Sequence, residues 1–135
     1  MPVVFGEFAA EALELLKSPV QSEIKCRNSI SRAYYGLYHS ALAYADSVTL
    51  PPISATCGRT HEKLRTFYFE DMSVDRDIRL KRRRVGYLLK VLAESRCKAD
   101  YELNKTISHM DAEAHYEQCM TVIGVVGALE AAKAA

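Results

Sequence analysis

The sequence predicts an all-α protein, an antiparallel bundle of four to five helices formed by residues 1–135 as a single domain. Apolar residues recur at helical spacing in five segments, and no segment alternates apolar and polar residues as a strand does. The segment "SVTLPPISATCG" (47–58) is the one long loop, because paired prolines and small polar residues cannot sustain a helix. At 135 residues the chain is long enough to bury a core without disulfides.

The five helices are predicted in order along the chain. The first covers 5–17 and ends at Ser18-Pro19, and the second runs from about 21 to about 46. A short third helix covers about 60–70, the fourth roughly 76–103, and the fifth about 111–132. The stretch "CMTVIGVVGAL" (119–129) of the fifth helix is apolar nearly all round, which predicts burial on more than one side.

Composition excludes several classes of protein. The formal charge of +1 creates no overall field that would commit the chain to nucleic acid or to a membrane. The cysteines have no close spacing of the metal or dithiol kind, so no metal site and no cofactor is predicted. The chain shows no secretory signal and no apolar run of membrane-spanning length. We therefore expect a cytoplasmic protein with reduced thiols and no membrane contact.

One short stretch of the second helix, "SRAYYGLYHSA" (31–41), carries polar groups where a core helix would carry leucine and alanine. Arg32 and His39 are two turns apart, about 10.5 Å of rise, on nearly the same azimuth, and Tyr35 lies between them. We call these three residues the polar strip. The residues of the same helix predicted for the core fall on another side: Ile30, Tyr34, Leu37, Ala41 and Tyr44.

The residue types of the polar strip indicate phosphodiester chemistry without a metal. The Arg32 guanidinium can neutralise a phosphate and the charge that builds on it, and the His39 imidazole can move a proton near pH 7. Tyr35 can donate a hydrogen bond or stack on a base. The structural alternative is that Arg32 pairs with Asp100, as a buried arginine needs such a partner, and that His39 bonds a backbone carbonyl or a tyrosine.

Two further groups lie on the fourth helix. Arg76, Arg79, Arg83 and Lys90 form a basic stripe within a region where "RDIRLKRRR" holds six of the eighteen basic side chains. Such a stripe can track an RNA backbone with salt-dependent affinity, or it can be a solvated helix face. Farther along the helix, Arg96 and Asp100 are spaced for an i,i+4 pair, which with Tyr101 is predicted to tie helix ends together.

Two segments about sixty residues apart, "RNSISRAYYGLYHSAL" and "RCKADY", resemble the HEPN superfamily, and in particular its small stand-alone members in bacteria and archaea. The intermediate "GRTHEKLRTFYF" and the closing "DAEAHYEQCMTVIGVV" also fit, so the resemblance covers nearly the whole chain. It implies a helical bundle of four or five helices that dimerises. Many members are metal-independent endoribonucleases with an arginine, four to six intervening residues, and a histidine, and Arg32 and His39 match that spacing.

The resemblance therefore implies an endoribonuclease or RNA-binding module with Arg32, Tyr35 and His39 as catalytic residues. Several members of the superfamily are toxins neutralised by a small nucleotidyltransferase, which would then be a partner. Two alternatives stand beside this interpretation. One is a non-catalytic dimeric subunit that binds a nucleotidyltransferase or another protein, and the other is a bundle that binds a nucleotide between its helices.

Overall fold

The computed structural model describes residues 2–70 and 75–133, and within these ranges every regular element is helical. The elements are α1 (Phe5–Lys17), α2 (Glu23–Val48), a single 3-10 turn (Ile53–Ala55), α3 (Thr60–Glu70), α4 (Arg76–Tyr101) and α5 (His109–Lys133). The prediction of an all-α bundle is confirmed for these residues. The helix ends differ from the predicted ones by only one or two residues.

Side chains cap the first turns of three of these helices. The Ser22 side chain accepts a hydrogen bond from the backbone of α2, and the Asp75 carboxylate accepts one from the Ile78 N–H of α4 at 3.0 Å. Ser108 and Asp111 exchange hydrogen bonds of 3.0 Å at the start of α5. These caps satisfy backbone donors that have no partner inside the helix, and so they fix where each helix begins.

Helix α2 lies at the centre of the bundle and contacts each of the other four helices. Two glycines permit the closest approaches between neighbours. A Cβ at Gly36 would lie 3.3 Å from the Ala9 nitrogen of α1, and a Cβ at Gly86 of α4 would lie 3.0 Å from the Tyr68 Cβ of α3. A larger residue at either position would therefore force two helices apart.

A buried arginine joins α2 to the end of α4. The Arg27 side chain is only 5 % exposed, and its guanidinium donates to the Ala99 carbonyl at 2.9 Å and to the Glu102 carbonyl at 3.2 Å. Glu23 binds Arg27 at 3.2 Å and also accepts from the Ile107 N–H. A cation at a helix C-terminus satisfies carbonyls that have no helical partner. Arg27 and Glu23 together therefore hold the loop between α4 and α5 in place.

Helix α5 buries one face and exposes another. Its buried side chains lie at His115, Cys119 and Val122 and continue to the end of the helix, whereas Gly124 and Gly127 are exposed with open space around them. One side of the apolar segment 119–129 is therefore left exposed by the described residues. None of the helices in the described ranges combines the length and the apolar character needed to cross a membrane.

Candidate functional site

The three residues of the polar strip lie side by side on α2, and each is half-buried. The Arg32 guanidinium carbon is 5.6 Å from the Tyr35 ring centroid, and the Tyr35 and His39 centroids are 6.3 Å apart. All five residues of α2 that were predicted for the core are buried. Helical spacing thus separated the buried face of α2 correctly from the face that carries the strip.

Phe8 of α1 bridges the two ends of the polar strip. Its ring centroid lies 5.1 Å from the His39 ring and 5.6 Å from the Arg32 guanidinium carbon. His39 also borders an open recess of about 490 Å³ whose other walls come from the N-terminal region, at Val3, Val4, Phe5 and Phe8. An aromatic face attracts a cation, so Phe8 holds the guanidinium in place without neutralising it.

Arg32 is not an ion-pair partner of Asp100, so the structural alternative considered from the sequence is wrong on this point. Asp100 instead accepts from Arg96 at 3.3 Å and from Ser31 at 3.4 Å. Arg32 donates to the Ser31 hydroxyl at 3.4 Å, and no carboxylate in the described ranges lies within ion-pair distance of it. Its charge is therefore available to an external anion.

His39 is likewise without a hydrogen bond to a carbonyl or a tyrosine among the residues that the structure describes. Burial lowers the pKa of His39 below its usual value, because desolvation disfavours the charged imidazolium. The imidazole is therefore mainly neutral at pH 7. In that state one ring nitrogen is a proton acceptor and the other a donor.

Arg96 and Asp100 form the i,i+4 pair that their spacing predicts. The Arg96 guanidinium also lies over two tyrosine rings of α2, 5.6 Å from Tyr34 and 5.5 Å from Tyr35. Its Nε is buried and has no hydrogen-bond partner among the described residues. Tyr101, in contrast, is 74 % exposed, so its ring adds little to the packing of the pair.

The basic stripe of α4 faces mostly outward. Arg76, Arg83 and Lys90 are exposed, and Arg79 is half-buried. The neighbouring Arg82 is buried instead, where its side chain donates to the Tyr44 hydroxyl at 3.0 Å. Lys90 is the member of the stripe that borders the cleft described next.

A cleft of about 440 Å³ opens between α2, α3 and α4. On its α3 wall, His61 lies with Nδ1 3.2 Å from the Tyr34 hydroxyl and with its ring stacked on Tyr38, 4.2 Å between centroids. The other polar and charged residues around the cleft are Arg65, Lys90, Glu94, Arg96, Cys97 and Glu102, and its apolar floor is Leu64, Leu89 and Ala93.

The cleft holds its histidine in the neutral form. Burial lowers the pKa of His61, and the positive charges of Arg96 and Arg65 lower it further. Burial also raises the pKa of Tyr34, so that its hydroxyl stays protonated. The result is a cleft with positive charge around neutral hydrogen-bonding groups.

Sequence reasoning did not assign His61 or Arg65 to a site and assigned Tyr34 only to the core. His61 and Arg65 are nevertheless spaced i,i+4 on α3, which places them on one helix face, and this was the signal available. Phe8 offered no comparable signal, since a phenylalanine on an apolar helix face is ordinary core composition.

Comparisons of the chain with protein-family models, with curated proteins and with solved structures gave no significant match. Within the described ranges, no three histidine, cysteine, aspartate or glutamate side chains lie together as a group that could hold a metal ion.

Proposed function

We propose that this chain is a HEPN-type, RNA-directed protein whose polar strip cleaves the RNA backbone without a metal ion. His39 takes the proton from a ribose 2′-hydroxyl, and the 2′-oxygen then forms a bond to the adjacent phosphorus. The bond from phosphorus to the 5′-oxygen breaks, and that oxygen receives a proton from the His39 imidazolium. Arg32 balances the negative charge that builds on the phosphoryl oxygens, and Tyr35 donates a hydrogen bond or stacks on a base.

The observation that carries the proposal is a half-buried arginine that has no carboxylate partner among the residues the structure describes, on the same helix face as a neutral histidine. The contrast with Arg27 is informative. That guanidinium is almost fully buried and satisfied by helix-end carbonyls and a glutamate, as a structural arginine should be. Arg32 is half-buried and makes only one weak hydrogen bond within the described ranges, which suits a group that binds a phosphate.

The same proposal includes an antiparallel HEPN-type arrangement and a homodimer, in which two polar strips face a shared groove. The exposed Gly124 and Gly127 of α5 support close approach by another helix, since no atom lies within 4 Å of a Cβ built on either glycine. In the proposal, Arg76, Arg79, Arg83 and Lys90 guide RNA towards the groove by phosphate contacts. A nucleotidyltransferase that silences the protein as an antitoxin is the proposed partner.

A second candidate is a non-catalytic dimeric subunit that binds such a partner. The observation that favours it is the Phe8 ring, which packs against both His39 and Arg32 and would make the strip a cluster that joins α1 to α2. The two candidates differ in what the loss of His39 would change, namely cleavage in the first and only packing in the second.

The test is cleavage of single-stranded RNA by the purified chain in the presence of a metal chelator. We expect Arg32→Ala and His39→Ala each to lower the rate by about 100-fold or more, the scale of a lost proton-transfer or charge-stabilising group. Arg84→Ala is the matched charge control, because Arg84 is exposed on α4. Thermal unfolding of every variant separates loss of chemistry from loss of fold.

Two outcomes would refute the nuclease. The wild-type chain fails to cleave any RNA with chelator present, or it cleaves at a rate that the His39→Ala variant retains. In either case an assay of dimer formation by wild type, Arg32→Ala and His39→Ala tests the second candidate.

A further inference from the structure

The cleft between α2, α3 and α4 has positive groups that the described chain does not neutralise. Arg65 is half-buried and Lys90 is exposed, and neither lies within ion-pair distance of a carboxylate in the described ranges. Arg96 shares its charge with Asp100, but its Nε is left without a partner. The carboxylates that border the cleft, Glu94 and Glu102, are exposed side chains and therefore well solvated.

The cleft and the polar strip are neighbours on either side of one tyrosine. Tyr38 stacks on His61 of the cleft at 4.2 Å, and its edge meets His39 of the strip at 5.1 Å. Tyr35 makes a second connection, since its ring lies 5.6 Å from the Arg32 guanidinium carbon and 5.5 Å from that of Arg96. We call Tyr35 and Tyr38 the aromatic ridge. A neutral histidine and an arginine lie on each side of it, His61 and Arg96 in the cleft and His39 and Arg32 in the polar strip.

We propose that the cleft binds the phosphate adjacent to the scissile one in a single-stranded RNA, with Arg65 as its principal ligand and Lys90 and Arg96 as supporting charges. The inference rests on the proposed function, because the polar strip defines which phosphate is scissile. It adds a substrate preference, for at least two consecutive phosphates, and a second binding site that the polar strip does not contain.

The chemistry of the cleft matches a phosphate diester better than a carboxylate-bearing protein segment. A guanidinium presents several donors to the oxygens of one phosphate. The neutral His61, whose Nδ1 is paired with the buried Tyr34 hydroxyl, can add a hydrogen bond from its other ring nitrogen without repelling an anion. Between the two sites, the half-buried Tyr35 ring is the one on which an unpaired base can stack, as single-stranded nucleic acids do on their proteins, whereas Tyr38 is buried. A duplex would keep its bases away from these rings.

The test compares substrates with one and with two phosphates. We expect Arg65→Gln to lower kcat/KM by about 10- to 100-fold for a trinucleoside diphosphate, the scale of a lost charged hydrogen bond. For a dinucleoside monophosphate the same variant should match wild type. Arg59→Gln is the control, because Arg59 is an exposed arginine close to the same helix, 3.7 Å from Glu62.

A neutral methylphosphonate in place of the adjacent phosphate provides the complementary change. It should slow wild type by at least the factor of Arg65→Gln, and it should slow the Arg65→Gln variant by a much smaller factor, because only the supporting charges of Lys90 and Arg96 remain there. Non-additivity of this kind identifies two groups that act through one contact.

The outcomes distinguish this inference from the function on which it rests. If wild type cleaves neither substrate, the proposed function fails and the inference fails with it. If wild type cleaves both and Arg65→Gln slows both equally, or neither, the nuclease stands and the adjacent-phosphate site is refuted.

Discussion

The buried histidine of α5 makes the stability of the protein depend on pH in a defined direction. His115 is 5 % exposed, and its Nε2 lies 3.1 Å from the Ile30 carbonyl. Its Nδ1 has no hydrogen-bond partner among the described residues. Burial lowers the pKa of His115 from 6.5 to about 4, while the hydrogen bond to Ile30 only partly opposes this.

The magnitude follows from linkage between protonation and folding. Below pH 6.5 the unfolded chain binds a proton at His115 that the folded chain refuses until about pH 4. Each tenfold difference in proton affinity corresponds to about 1.4 kcal/mol, so this histidine should remove about 3 kcal/mol of stability as the pH falls through that window. The free energy of unfolding of a typical domain is about 5–15 kcal/mol, so such a loss is a large part of it.

The assay is urea unfolding of wild type and His115→Gln at several pH values between 7 and 4. Glutamine keeps a donor for the Ile30 carbonyl but does not titrate. We expect the advantage of wild type over the variant to shrink by about 3 kcal/mol from pH 7 to pH 4, and the difference between the two proteins cancels contributions from other titrating groups. A difference that stays constant with pH would refute the buried, neutral state of His115.

Three further predictions concern packing. Arg27→Ala should lower the free energy of unfolding by about 1–3 kcal/mol in urea titrations, because it leaves the carbonyls at the end of α4 without their donor; a loss below about 0.5 kcal/mol would contradict this role of Arg27. Gly86→Ala should cost about 1–3 kcal/mol, because its Cβ would meet Tyr68 at 3.0 Å. Gly124→Ala should instead stabilise the single chain by about 0.5–1 kcal/mol at protein concentrations too low for the proposed dimer, since open space surrounds that helical glycine, and equal effects at both glycines would contradict the packing.

The functional proposals depend on contacts that the sequence did not reveal. Spacing placed Arg32, Tyr35 and His39 on one face of α2, but nothing in it showed that Asp100 would bind Arg96 or that Phe8 would pack on Arg32 and His39. That no carboxylate of residues 2–70 and 75–133 pairs with Arg32, the central observation for the nuclease, is therefore a tertiary finding. The cleft also depends on the tertiary structure, because it forms only where α3 lies beside α2 and α4.

The sequence by itself determined the helices and their buried faces. Helical periodicity and caps act between residues a few positions apart, so the segments from α1 to α5 and the core side of α2 can be predicted without knowing how they pack. Only the tertiary structure decided which charges are satisfied, since Arg27 finds its carbonyls more than seventy residues away. Such pairings depend on the rotation and axial position of each helix against its neighbours, which the period of a single helix does not encode.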